Sequence, residues 1–215
     1  MPDPLPIAVL ISGSGSNLQA LIDAEARGAL ACSIEVVISD RRGVRGLERA
    51  ESAGIETRIV EWSDHPDRAS FTEAICGAAG AFKVEALVLA GFMRILSPHA
   101  VHRYPNAIVN VHPSLLPSFP GADAVSEALA HGVALTGVTV HFVDEEVDHG
   151  PIIAQEAVAV LPDDDAASLH ARIQAVEHRL LPEVVEALGR DRIKVRGRHV
   201  TMGAGQTHND SEVAV

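Results

Sequence analysis

Three short segments of this chain hold side chains that can do chemistry together. The first is Asn110-Val111-His112-Pro113-Ser114-Leu115-Leu116-Pro117. Residues two apart in a strand point to the same side, so Asn110 and His112 would share a face. A carboxamide beside a protonated imidazole can grip one carbonyl oxygen. It then stabilises the negative charge that develops there, and the imidazolium can also donate a proton. The competing reading of His112 is a buried ring satisfied by a backbone carbonyl. Asn110 beside it, and the Pro-rich turn after it, favour a site.

The second segment is Ser12-Gly13-Ser14-Gly15-Ser16-Asn17, just before a helical pattern. Glycines let the backbone approach a ligand closely, and a helix N-terminus offers unpaired N–H groups and partial positive charge. A monophosphate fits such a loop. Walker-type nucleotide binding is poorly supported, because no Lys-Ser/Thr pair follows the loop. A dinucleotide fingerprint is nearer, with Gly13-x-Gly15 and Asp40 in reach of a ribose, but Leu18 stands where the third small residue belongs. A ligand-free tight turn is the remaining alternative.

The third is Val147-Asp148-His149-Gly150-Pro151. A carboxylate at Asp148 folded onto His112 would favour the imidazolium and settle which ring nitrogen carries hydrogen. The alternative is a solvated turn aspartate, as expected for the nearby Asp144, Glu145 and Glu146. His141, Asp144, Asp148 and His149 offer a weak metal reading, because the set passes from strand to loop. His99 and His102 could share a helix face but lack a third ligand. Met93, Ile95 and Leu96 are either core or the lining of a flat apolar slot.

Elements that could position these segments alternate along the chain. Short apolar runs at Ile7 to Ser12, Ile34 to Ser39, Glu56 to Val60, Ala86 to Ala90 and Ala107 to Val111 read as strands. Helical patterns open at Asn17 and cover Leu47 to Ala53, Arg68 to Ala79 and Ala122 to His131. The fold class is therefore α/β: a Rossmann-like, open, twisted, mostly parallel sheet with helices on both faces. After Gly137 the rhythm changes. Val138 to Phe142 and Ile152 to Val160 follow each other without a helix, which predicts an antiparallel C-terminal portion. Asp165 to Leu188 reads as a long final helix, capped by Asp163 to Asp165 and kinked or broken at Pro182. Residues 1–188 form one expected domain, with the phosphate loop in its N-terminal half and the catalytic segments in its C-terminal half. Residues 189–215 read as an edge hairpin turning at Gly197, with its basic residues guarding a sheet edge, followed by a disordered tail from Gly203. In such sheets ligands bind beyond the carboxyl ends of the strands, where the three segments would lie.

Composition narrows the function classes. With 17 Lys+Arg against 29 Asp+Glu, the net charge of −12 disfavours general nucleic-acid binding. Two cysteines, Cys32 and Cys76, suit reduced thiols rather than a disulfide framework. Met1 to Pro6 lacks the basic start of a signal peptide, and no apolar run reaches the length of a membrane helix. The expectation is a soluble, cytoplasmic protein with no membrane partner. A homodimer is compatible with the sequence.

The segments SGSGSNLQALIDA, VLAGFMRILSP, NVHPSLLPSFPGA, TGVTVHFVDEEVDHGPIIAQ and VEHRLLP occur in that order. Together they resemble the folate-dependent phosphoribosylglycinamide formyltransferase family, over about Ile7 to Leu188. The Asn-x-His-Pro-Ser-Leu-Leu-Pro motif alone marks the wider formyltransferases. The SGSGSN loop narrows it, and 215 residues leave no room for the extra domains of the methionyl-tRNA and hydrolase members.

The resemblance implies formyl transfer from 10-formyltetrahydrofolate, as co-substrate, to the amine of phosphoribosylglycinamide, with no metal required. It places Gly15, Ser16 and Asn17 on the ribonucleotide phosphate and Glu177 near the substrate amine. It places Arg68, Met93, Arg94, Ile95, Leu96 and Asn110 on the folate. Asn110, His112 and Asp148 would be catalytic, with His112 as proton donor and Asp148 as its carboxylate partner. Asp123 stands where members often have His, and Ser118 where some have Lys. Those departures touch outlying substrate contacts.

Overall fold

In the computed structural model, which describes residues 3–203, the apolar run Leu5–Ile11 forms the first strand, β1. It is followed by α1 (Ser16–Ala26), β2 (Cys32–Ser39), α2 (Arg45–Ser52), β3 (Glu56–Ile59) and a short 3-10 turn at Trp62–Asp64. Then come α3 (Arg68–Gly80), β4 (Ala86–Leu89), α4 (Pro98–Arg103), β5 (Ile108–His112) and α5 (Ala124–His131). The chain continues through β6 (Leu135–Phe142), β7 (Ile152–Ala159), α6 (Ala166–Gly189), β8 (Ile193–Arg196) and β9 (His199–Met202).

Seven strands form one sheet in the order β3-β2-β1-β4-β5-β6-β7. Strands β1 to β5 pair in parallel, and β6 and β7 pair antiparallel to their neighbours. Alternation along β1 explains why the sheet is covered twice. Ile7, Val9 and Ile11 join a core with α1, α2, α5 and α6, while Ala8 and Leu10 join a second core with α3 and α4. Strand order reverses between β1 and β4, so the loops after these strands meet at a switch point, where such sheets bind ligands.

Three expectations need correction. Helix α6 runs unbroken across Pro182. Leu181, Val184 and Val185 around it are completely buried, and that packing offsets the roughly 3 kcal/mol that an interior proline costs. The short helix α4 was hidden in the sequence, although Ser97 followed by Pro98 is a helix-start signal. The hairpin turns at Gly197 as expected, but β8 and β9 form their own two-stranded sheet rather than extending the main one. Its apolar residues Ile193, Val195 and Val200 pack against the main core. The predicted tail beyond Gly203 lies outside the described residues. Asp165 caps α6 as expected, through reciprocal hydrogen bonds with Ser168.

Candidate active site at the carboxyl edge of the sheet

Strand β5 ends on the Asn110–His112 pair. Antiparallel register sets His141 of β6 directly opposite Asn110, and Thr139 opposite His112. Thr139 orders the turn that follows His112. Its hydroxyl donates to the Ser114 carbonyl at 2.7 Å and accepts the Leu116 N–H at 3.0 Å and the Gln155 amide at 2.9 Å. The turn then brings the Phe119 carbonyl back over the ring of His112.

His112 is buried, and each of its ring nitrogens faces an acceptor. Nε2 lies 2.8 Å from the Phe119 carbonyl oxygen, and Nδ1 lies 3.4 Å from Oδ2 of Asp148. Since neither acceptor carries hydrogen, the arrangement is fully satisfied only when both nitrogens do. His112 thus bonds a backbone carbonyl, as one sequence reading had it, and also faces the Asp148 carboxylate.

Asp148 is not a solvated turn residue. Its side chain is 12% exposed, its φ is +51°, and Oδ2 accepts the Gly121 N–H at 2.7 Å. A left-handed non-glycine residue is uncommon, so this loop holds the carboxylate against a local backbone preference. Neighbouring Gly150 packs against the Phe142 carbonyl too closely to admit a Cβ, which seats the loop on the end of β6.

His141 is a residue whose role the sequence did not reveal. Burial pushes its pKa down, which outweighs the opposing pull of the Phe142 carbonyl and of Asp148, so the ring is neutral. Nδ1 lies 2.8 Å from the Phe142 carbonyl oxygen and must carry the hydrogen. Nε2 is then an acceptor, and it lies 3.1 Å from Nδ2 of Asn110. The second amide hydrogen of Asn110 is held loosely, with Asp148 Oδ1 at 3.5 Å. Asn110, His112, His141 and Asp148 thus form one cluster. In the sequence His141 entered only the weak metal reading with Asp144, Asp148 and His149.

The Ser12–Asn17 loop enters α1 through Gly15, whose φ of +68° is left-handed. A Cβ on Gly15 would meet the Gly46 Cα of α2 at 2.6 Å, so the close approach of loop and helix requires glycine there. No side chain caps α1 and its first turn has no acidic residue, which leaves the helix N-terminus ready for an anion. Arg49 steadies the loop, with Nε donating to the Ser14 carbonyl at 3.0 Å. From α6, buried Glu177 accepts the side-chain amide of Asn17 at 2.9 Å, which brings these two residues together at the start of α1.

The loop after β4 lies across the switch point from the Ser12–Asn17 loop. Its Met93 N–H donates to Ser12 Oγ at 2.8 Å. Leu96 is buried in the core, whereas Met93 and Ile95 are exposed, so the choice between core and slot divides by residue. The Arg94 guanidinium is engaged by Asp40, with Nε 2.7 Å from Oδ2. Asp40 is thereby taken from the ribose-binding role that a dinucleotide reading required. Arg68 stands exposed at the start of α3, and Ser97 N–H ties the loop to Thr72 Oγ1 of that helix at 2.9 Å. Asp123 is the N-cap residue of α5, and its side chain makes no cap hydrogen bond. Among the described residues no group of three or more His, Cys, Asp or Glu could hold a metal ion, and no helix is long and apolar enough to cross a membrane.

Comparison with known proteins identifies the family. A phosphoribosylglycinamide formyltransferase from Mycobacterium tuberculosis is 44% identical over 200 residues, covering 93% of this chain and 92% of that protein. The human trifunctional purine biosynthetic protein adenosine-3 is 47% identical over 180 residues, covering 84% of this chain. This chain spans only 18% of that human protein's length. The crystal structure of glycinamide ribonucleotide transformylase 1 from Symbiobacterium toebii superposes with a TM-score of 0.92 at 44% identity, covering 94% of this chain and 95% of that one. The family model described as formyl transferase matches residues 5–185, and the chain belongs to the formyl transferase family.

Proposed function

We propose that the protein transfers the formyl group of 10-formyltetrahydrofolate to the amine of 5-phosphoribosylglycinamide. The products are formylglycinamide ribonucleotide and tetrahydrofolate. The observation that carries this reading is the convergence of Asn110, His112 and Asp148, with Nδ1 of His112 3.4 Å from the carboxylate and Nδ2 of Asn110 3.5 Å from it. An anion-ready loop at Gly15, Ser16 and Asn17, with Glu177 beside it, suits the phosphorylated co-substrate. The exposed Met93 and Ile95 suit the flat face of a folate.

The neutral glycinamide nitrogen attacks the formyl carbon, and the carbonyl π pair moves to oxygen. The loosely held amide hydrogen of Asn110 donates to that oxyanion, and the positive charge of the His112 imidazolium, whose N–H groups face Phe119 and Asp148, stabilises it by proximity. The attacking nitrogen loses a proton, the folate N10 gains one, and the bond from formyl carbon to N10 breaks. Asp148 holds the positive ring through the transfer. Fixing both substrates at one rim removes the entropy of their encounter. No covalent enzyme intermediate is needed.

The test follows tetrahydrofolate production with both substrates, and with the ribonucleotide omitted. Production should depend on the ribonucleotide. Equal production without it would move the assignment to a formyltetrahydrofolate hydrolase.

A further inference from the structure

Asp40 follows the last residue of β2, and its backbone N–H donates to the carbonyl of Ile11 at the end of β1. Its side chain is 0% exposed. A carboxylate taken out of water is costly unless a cation meets it with good geometry. Arg94 supplies that cation across the switch point, at 2.7 Å, while Arg41 stays at 3.8 Å on the exposed side.

The same guanidinium lies 5.4 Å from the ring centroid of Trp62. Trp62 meets Phe71 edge-on at 5.1 Å, and Phe71 stacks on Phe92, which belongs to the same loop as Arg94. Arg94 is therefore held by charge from one side and by an aromatic train from the other.

Exposure alternates along this loop. Phe92 and Leu96 are buried, Arg94 turns inward to Asp40, and Met93 and Ile95 are 59% and 51% exposed. Arg94 sits at a bend of the loop, and with its side chain held on Asp40 the residues on either side of the bend are the ones left facing outward. Met93 and Ile95, exposed on either side of Arg94, offer apolar surface that a flat ligand can cover.

We propose that Asp40 is a positioning residue for folate recognition: by gripping Arg94 it turns Met93 and Ile95 toward the bound folate. This rests on the reading that the loop after β4 meets the folate. Asp40 acts through Arg94 and touches neither substrate.

The test is steady-state kinetics on the full chain, varying each substrate. The variant Asp40→Asn removes the grip but leaves Arg94 in the chain, 33% exposed and able to meet water, so any direct contact of Arg94 with the folate is kept. Its KM for 10-formyltetrahydrofolate should rise about tenfold, the scale of one lost charge-assisted hydrogen bond. Its ribonucleotide KM should stay within about twofold, because the phosphate loop keeps its own supports. Arg94→Lys keeps a cation but loses the planar fork, and its folate KM should fall between parent and Asp40→Asn. Met93→Ser/Ile95→Ser tests the underlying reading and should raise the folate KM with Asp40 untouched.

A rise in the serine variant with unchanged folate KM in both anchor variants would overturn the role of Asp40 and keep the loop reading. An unchanged serine variant would overturn both. Equal rises in both KM values, or an Arg94→Lys protein that no longer folds, would assign the pair to stability and overturn the positioning role.

Discussion

Nε2 of His141 lies 3.1 Å from Nδ2 of Asn110, and this contact decides which end of the Asn110 amide faces the site. The Phe142 carbonyl takes the only hydrogen of the neutral ring, so the other nitrogen accepts. The amide must present its NH2 group rather than its oxygen. A pH prediction follows from the lowered pKa of His141. The unfolded ring binds a proton near pH 6.5, roughly, whereas the folded ring holds it less tightly. Below that pH the unfolded state carries more protons, so stability falls as pH drops toward the folded value. Urea unfolding at pH 7.5 and at pH 5.5 should show a larger loss for the parent than for His141→Gln. Equal losses would mean that His141 is not buried neutral.

Asn110→Ala removes a donor, and His112→Ala a positive charge, from the developing oxyanion. Each should lower kcat by about two orders of magnitude or more, with a native circular dichroism spectrum. Turnover near that of the parent in folded His112→Ala protein would take His112 out of the mechanism.

Asp148→Asn keeps the shape and an acceptor for the Gly121 N–H, but removes the negative charge beside His112. The expected result is a kcat lower by about tenfold or more, with both KM values little changed, because the charge matters most when the ring must stay positive. A raised KM with full kcat would make Asp148 a binding residue instead.

Two glycines in one loop should behave differently. Gly15→Ala meets the Gly46 backbone and a left-handed φ, so it should raise the ribonucleotide KM about tenfold or more and lower the thermal midpoint. Gly13 has nothing within 4 Å of an added Cβ and no positive φ, so Gly13→Ala should stay close to the parent in both measures. Equal damage from both would mean that chain flexibility, not the seat on α2, is what the loop requires.

Burial pushes the Cys32 thiol up to about 12 and raises that of Cys76 as well. A chromogenic disulfide reagent at pH 8 should therefore titrate no thiol in the native protein and both after denaturation. Rapid reaction of the native protein would show that α6 or α3 opens readily around them.

Local pattern in the sequence determines much of this protein. Apolar runs such as Ile7 to Ile11 alternate with helical faces, and those periods force an α/β sheet. Asn110 and His112 share a face because strand geometry has a period of two, and Gly15 announces a close approach because glycine has no Cβ. What tertiary structure decided is everything set by register and strand order. His141 became a site residue because β6 pairs antiparallel with β5 at one offset and not its neighbour. Asp40 became an anchor because β4, distant in sequence, was placed beside β1, bringing Arg94 within reach. Likewise, Pro182 was absorbed into α6 because burial around it outweighs a missing hydrogen bond. Side-chain period is written in adjacent residues, whereas pairing between distant strands depends on the summed packing of the whole sheet.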